Sequence, residues 1–262
     1  MTYIAARAGY DFVSFRLILL GTPNEPDYAL ANNPAMLRQT KAALAGTGLR
    51  VHDIELARIY DGVNLDTYVP AMEVAAELGA RHVITSIWTP RRGYAVERLA
   101  ELCDLAKPFG LTMNCEFVTW ADVANLRDAA GLCRSVNRDN CGILVDTLHF
   151  HRSGATLDQL DALPREWFHF AHVCDAPLEI PAAREAHIHT GRAERLYAGE
   201  GAIDIAGIVN RLPEMPYSLE IPHLERVREL GYAEHAWRCL AAARRYFSAH
   251  PREHNETRMA LT

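Results

Sequence analysis

The feature that most limits how this chain can fold is an alternation repeated seven times: a short apolar run of period 2, then a stretch with apolar residues at helical spacing. The strand-like runs fall at about 11–18, 50–56, 81–87, 111–117, 141–147, 168–174 and 216–221. The helix-compatible stretches fall at roughly 33–47, 66–79, 93–109, 119–134, 156–163, 203–212 and 229–247. Connections long enough to hold a helix join parallel strands, because antiparallel neighbours need only a tight turn. Seven such units in 262 residues predict an α/β fold, a (β/α)8-type TIM barrel forming a single domain over 1–262. A strand is expected before DFVSFRL, but TYIAARAGY reads as the end of a helix stopped by Gly9, so the first strand is expected to be missing or irregular.

Four strand-like runs close on a residue that an apolar strand does not need: Glu116 in LTMNCEF, Asp146 in CGILVDTLHF, His172 in FHFAHVCDAP and Glu220 in PYSLEIP. The alternation keeps them in phase. Thr112, Asn114 and Glu116 share one face, as do Gly142, Leu144 and Asp146, then Phe168, Phe170 and His172, then Ser218 and Glu220. A single acid at a strand end is commonly a helix N-cap, and a single histidine on an apolar strand is commonly a satisfied core residue. Four in phase, at strand ends that a barrel gathers into one ring, predict a metal centre made of Glu116, Asp146, His172 and Glu220. Three oxygen donors and one imidazole suit one divalent ion; Mn²⁺ is expected first, with Mg²⁺, Co²⁺ and Zn²⁺ compatible.

Around that ring, His149 lies three residues beyond Asp146, at the start of the following loop, as a substrate contact or proton donor, while His151 reads as solvated. Arg16, Glu55 and Trp88 also sit at strand ends or within apolar strands and are expected to line the mouth. The segment 175–202 is the longest without periodicity and carries His187, His189, Arg192 and Arg195 ahead of Gly199-Glu200-Gly201; residues 176–202 are expected to form a lid loop. Residues 249–262 are expected to be a flexible tail. The Gly-Glu-Gly turn has neither the lysine of a P-loop nor dinucleotide-binding spacing.

The formal net charge of −6 argues against a protein built to grip nucleic acid, so a small-molecule partner is expected. MTYIAARAGYDF lacks the pattern of a secretory signal, and no 18-residue apolar window occurs, so a cytoplasmic protein without a membrane partner is expected. The six cysteines form no CxxC pair and fall in apolar runs, as buried reduced thiols do.

Taken in order, AGYDFVSFRL, DIEL, NCEF, ILVDTLHFHRSG, HVCDAP, RLYAGEGAIDI and SLEIP resemble the xylose-isomerase-like TIM-barrel superfamily over about residues 3 to 245. This sugar phosphate isomerase/epimerase group includes hydroxypyruvate isomerase, ketose 3-epimerases, inosose dehydratase and isomerase, 3-dehydroshikimate dehydratase and endonuclease IV. The resemblance implies that Glu116, Asp146, His172 and Glu220 hold a divalent metal, that His149 is a substrate-contacting histidine and that Arg195 is a loop arginine facing the substrate. It also implies a shortened start and Ala198 where a proline often precedes the Gly-Glu-Gly turn.

The implied chemistry is isomerisation or epimerisation of a sugar or other polyhydroxy-ketone through an enediolate, with Glu116 and Glu220 exchanging the carbon-bound proton. Loss of a β-hydroxyl, protonated by His149, would make the protein a dehydratase of an inosose or 3-dehydroshikimate type instead. An endonuclease IV-like phosphodiesterase needs more histidines than these strand ends supply. A barrel subunit that binds without catalysis is the reading from a different class, and a homo-oligomer could complete the pocket wall.

Overall fold

The computed structural model describes residues 1–21 and 25–252; of the expected tail, residues 253–262 lie outside the described residues. The order is α1 (Thr2–Ala8), β1 (Phe12–Arg16), α2 (Pro34–Thr47), β2 (Arg50–Tyr60), α3 (Val69–Glu77), β3 (His82–Trp88), α4 (Arg92–Ala106), β4 (Thr112–Glu116) and α5 (Leu126–Val136). It continues with β5 (Cys141–Asp146), α6 (Thr147–Arg152), α7 (Leu157–Asp161), β6 (Ala171–Val173), α8 (Arg184–Ala193), α9 (Ile205–Arg211), β7 (Tyr217–Leu219) and α10 (Leu224–Ala249). The seven strands form one parallel sheet in chain order, the arrangement of a TIM barrel. Among the described residues no pairing joins β7 back to β1. As the sequence implies, a helix precedes β1, and Gly9 ends it in the left-handed region at φ 93°.

Local signals explain the boundaries. Asn33 caps α2 through the Met36 N–H with Pro34 at the first helical position, and Asn125 caps α5 through the Asp128 N–H. That second cap starts α5 at 126, not 119, and leaves 117–125 as a loop above β4. β2 runs four residues past its expected end, and β6 is shorter than 168–174. α10 starts at 224, with Gly231 non-helical inside it at φ 75°, which is why helical spacing becomes legible only from about 229. The aperiodic segment 175–202 holds α8, whose sequence REAHIHTGRA has no continuous apolar face to announce it. All six cysteines are buried and free, and no helix among the described residues is long and apolar enough to cross a membrane.

Two buried layers result. Between sheet and helices pack Met72, Ile87, Leu99, Leu102, Met113 and Leu126, and every residue of β5 is buried, as expected of a strand covered on both faces. Inside the barrel sit Ile84, Leu144 and Phe170, with Leu56 against them. At the end opposite the strand termini the interior turns polar. His52 lies 4.8 Å from His82, ring to ring, and His82 stacks on His169 at 5.3 Å. His82 shares a hydrogen bond with Thr112, as His169 does with Asn114, each at 2.7 Å. Gly142 admits that floor: a Cβ there would stand 2.7 Å from the His169 ring and 2.5 Å from the Trp167 carbonyl oxygen.

Candidate metal centre

Glu116, Asp146, His172 and Glu220 come from the ends of β4, β5, β6 and β7, and the barrel turns all four inward. Each offers one ligand atom, and these atoms lie within 4.8 Å of one another. His172 Nδ1 is 3.1 Å from Glu220 Oε2, 3.5 Å from Glu116 Oε1 and 3.9 Å from Asp146 Oδ2. Glu116, Asp146 and His172 are buried, while Glu220 is half-buried at the rim.

Asp146 performs two tasks with its two oxygens. Oδ1 accepts from the Leu148 and His149 N–H groups at 2.7 and 3.3 Å and so caps α6, while Oδ2 faces the cluster. The N-cap and ligand readings of a strand-end acid are therefore compatible here. Arg195, which is buried, donates from Nη1 to Asp146 Oδ2 at 2.5 Å, lies 3.0 Å from Glu220 Oε2, and donates from Nε to the Gly191 carbonyl at 2.9 Å.

The two glutamates are driven apart. Burial raises Glu116, with the Glu220 and Asp146 charges adding to it against His172, and the result is about 7. Burial also acts on Glu220, but Arg195 and His172 hold it well below the usual carboxylate range. His172 pays burial yet is held well above the ordinary imidazole value by Glu220 and Glu116. Three clustered carboxylates drawing a proton onto the one histidine have the donor chemistry and the charge deficit that a divalent cation satisfies, so the residues fit such an ion.

The remaining residues expected from sequence are distributed around this cluster. His149 lies not in a loop but in α6, the short helix that Asp146 caps; it is buried, and burial lowers it to about 4. Its Nδ1 accepts from the Thr119 N–H at 3.4 Å, which leaves the proton of the neutral ring on Nε2. Arg16, at the end of β1, pairs with Glu55 at 3.1 Å, but Glu55 does not close its strand: β2 continues five residues beyond it to Tyr60. Trp88 is half-buried at the end of β3, its indole N–H donating to Ser86 Oγ at 2.8 Å.

Three positions went unread in the sequence. Trp120, in the loop after β4, packs on His149 at 4.8 Å between ring centres, and a Cβ at Gly191 of α8 would stand 2.4 Å from its ring. Trp120 thus joins α8 to the mouth. Asp175 accepts from the Ala176, Gly199, Gly201 and Ile203 N–H groups and fastens the Gly-Glu-Gly turn. Asp53 of β2 is buried, its Oδ1 accepting from Ser14 Oγ at 2.5 Å.

A family model described as xylose isomerase-like TIM barrel matches residues 3–242. The inosose isomerase of Bacillus licheniformis is 27% identical over 165 residues, 59% of this chain and 57% of that protein. The inosose isomerase of Bacillus velezensis is 26% identical over 226 residues, 82% of this chain and 78% of that protein. The chain therefore spans little more than half the length of the first of these relatives. Among solved structures, the IolI protein with a bound zinc atom superposes with a TM-score of 0.78 at 19% identity, covering 95% of this chain and 92% of that one. A D-allulose 3-epimerase from Methylomonas sp., solved with D-allulose, superposes with a TM-score of 0.67 at 17% identity over 94% and 89% of the two chains. At these identities the superpositions show a shared fold.

Proposed function

The chain belongs to the xylose isomerase-like TIM barrel family, and from that premise we propose that it is a divalent-metal-dependent isomerase or epimerase of a sugar or other polyhydroxy-ketone, working through an enediolate. The observation that carries this reading is the inward cluster of Glu116, Asp146, His172 and Glu220, with two glutamates whose proton affinities are pushed apart. Relatives named inosose isomerase and a neighbour solved with a ketohexose support the substrate class. Glu116, Asp146, His172 and Glu220 are assigned as the metal ligands. A bound divalent cation supplies Lewis-acid polarisation of a ketone, which makes the adjacent C–H acidic.

The rest is done by side chains. Glu116 and Glu220, facing each other across His172, exchange the carbon-bound proton, one removing it and the other returning it. His149, neutral with its proton on Nε2, donates to a substrate oxygen, and in a β-elimination the same proton would go to the departing hydroxyl. Arg195, Arg16, Glu55 and Trp88 form the substrate walls, and α8 is the lid, seated on Trp120. IolI holds zinc, so Mn²⁺ and Zn²⁺ are the two ions to compare.

The test is exchange of carbon-bound hydrogen for deuterium, followed by NMR, on ketoses, inososes, hydroxypyruvate and 3-dehydroshikimate, with Mn²⁺, with Zn²⁺ and with chelator. Exchange that chelator abolishes is expected. Glu220→Gln should keep the fold and lose exchange by about 10²- to 10⁴-fold, the usual worth of a positioned base. Wild-type rates in that variant would remove Glu220 from the chemistry, and metal binding without exchange on any compound would favour a non-catalytic barrel.

A further inference from the structure

Arg152, the last residue of α6, is 7% exposed, and its Nε and Nη1 are buried without a hydrogen-bond partner. No ion pair among the described residues includes it. A guanidinium stays charged when it is buried, so one that lacks a counter-charge is costly. Burial lowers it below its ordinary value, and the carboxylate whose charge acts against that is Glu179.

A hydrogen bond brings the two residues together. His151, which precedes Arg152, donates from Nε2 to the carbonyl of Leu178, which precedes Glu179, at 3.2 Å. From that bond the chain has to advance one residue on each side, about 3.8 Å between neighbouring Cα atoms, to reach Arg152 and Glu179, and both side chains are long enough to bridge such a shift. Glu179 is exposed and pairs with no cation among the described residues.

Glu179 belongs to a strap, residues 177–183, that joins the end of β6 to α8. The strap is anchored on both sides. Before it, the Ala202 N–H donates to the Ala176 carbonyl at 2.9 Å; after it, Arg184 donates to the Trp120 carbonyl at 2.9 Å, and His187 Nε2 to the Pro181 carbonyl at 2.7 Å. Between these anchors Leu178 is 70% and Ile180 45% exposed. An inward shift of the strap would therefore cover apolar surface and supply the missing counter-charge together.

We propose that Arg152 and Glu179 are the two halves of a latch, an ion pair that fastens strap 177–183, and with it the first turn of α8, onto the end of α6. Both are positioning residues. The latch extends the reading of α8 as the lid: Gly191 of α8 seats Trp120 and accepts from Arg195, so a fastened strap holds both residues at the mouth.

The experiment is hydrogen exchange of the α8 backbone amides, read by mass spectrometry on the full chain without metal or substrate, in wild type, Glu179→Ala, Arg152→Met and the double variant. Each single substitution should speed exchange across α8 about 10-fold, the equivalent of one hydrogen bond to a charged group. The double variant should exchange no faster than either single one, because either change alone opens the latch. Exchange in β4 and β5 should stay at the wild-type rate, which separates release of the lid from general destabilisation. Unchanged α8 exchange in Glu179→Ala overturns the inference, as do single effects that add in the double variant. If Arg152→Met does not fold, Glu179→Ala decides alone. Protection of α8 that arises with inorganic phosphate equally in wild type and in Glu179→Ala would assign the guanidinium to a bound anion and overturn the latch. Since no turnover is read, failure of the proposed isomerase chemistry leaves this test intact.

Discussion

Replacing His52 by phenylalanine should make the protein markedly more acid-tolerant. His52 is packed edge-on against Phe12 and Phe170 at 5.2 and 4.9 Å, and its Nε2 is buried without a partner. Burial, with the charges of His172 and Arg50, lowers it from 6.5 to about 4, and burial beside His52 and His169 lowers His82 to about 3. Both folded values lie below the unfolded one, so the unfolded chain binds more protons as pH falls below about 6.5, and stability is lost through that window. At pH 5 the full shift would cost roughly 2 kcal/mol per histidine, the 1.5-unit distance from the unfolded value at 1.36 kcal/mol per unit. Both rings are only partly shielded from water, so about half, roughly 1 kcal/mol each, is the fair expectation. Urea unfolding of wild type and His52→Phe at pH 7.5 and pH 5.0, at one ionic strength, isolates the term. The variant should lose at least about 1 kcal/mol less than wild type between the two pH values, since removing one imidazole also relieves the neighbouring His82. The comparison has to be a difference, because Asp53, raised to about 6, becomes more favourable in the same window and offsets part of the loss. Equal pH dependence in the two proteins would mean that the histidine floor is solvated and that its burial carries no linkage.

Two further outcomes follow from contacts around the mouth. Gly191→Ala would put a Cβ 2.4 Å from the Trp120 ring, so α8 and Trp120 must separate; overpacking of this kind costs about 1–3 kcal/mol, visible as a red shift of tryptophan emission and a raised KM. Asp175→Ala strips the acceptor from four backbone N–H groups of the 176–203 segment and should lower unfolding stability by about 2–4 kcal/mol, read by urea titration; a loss below 0.5 kcal/mol would mean water serves those groups equally well.

The barrel and the ring of four were legible because both are periodic properties. Parallel strands buried on both faces produce apolar runs, and period-2 phase carries Glu116, Asp146, His172 and Glu220 to one side without reference to anything distant. What stayed hidden depends on partners remote in sequence or on broken period. Asp53 lies where the β1–β2 pairing breaks its regular register, beside Ser14, so period 2 says nothing reliable about its side chain. Asp175 went unread because three of its four donors lie 24 to 28 residues away, in a segment without periodicity. His149 was placed in a loop because α6 has six residues, too few for a helical pattern to register, and exists by virtue of the Asp146 cap. Trp120 follows NCEF by four positions and could have been noticed as a second aromatic beside the mouth, but its partner Gly191 lies in a helix with no apolar stripe.

The packing of α10 against α1 carries a consequence for how the molecule comes into being. Arg244 donates to the Gly9 carbonyl and Tyr10 to the Ala236 carbonyl, at 2.8 and 2.9 Å, across 235 and 226 residues of chain. A seven-residue helix has little stability of its own in water, so α1 depends on the surfaces it docks to, α2 beside it in the chain and α10 far along it. Its contact with α2 can form early, whereas its contact with α10 closes one of the longest loops in the fold. Weakening that clasp, for instance by Arg244→Ala, should therefore speed unfolding while leaving the assembly of the inner units at its ordinary rate.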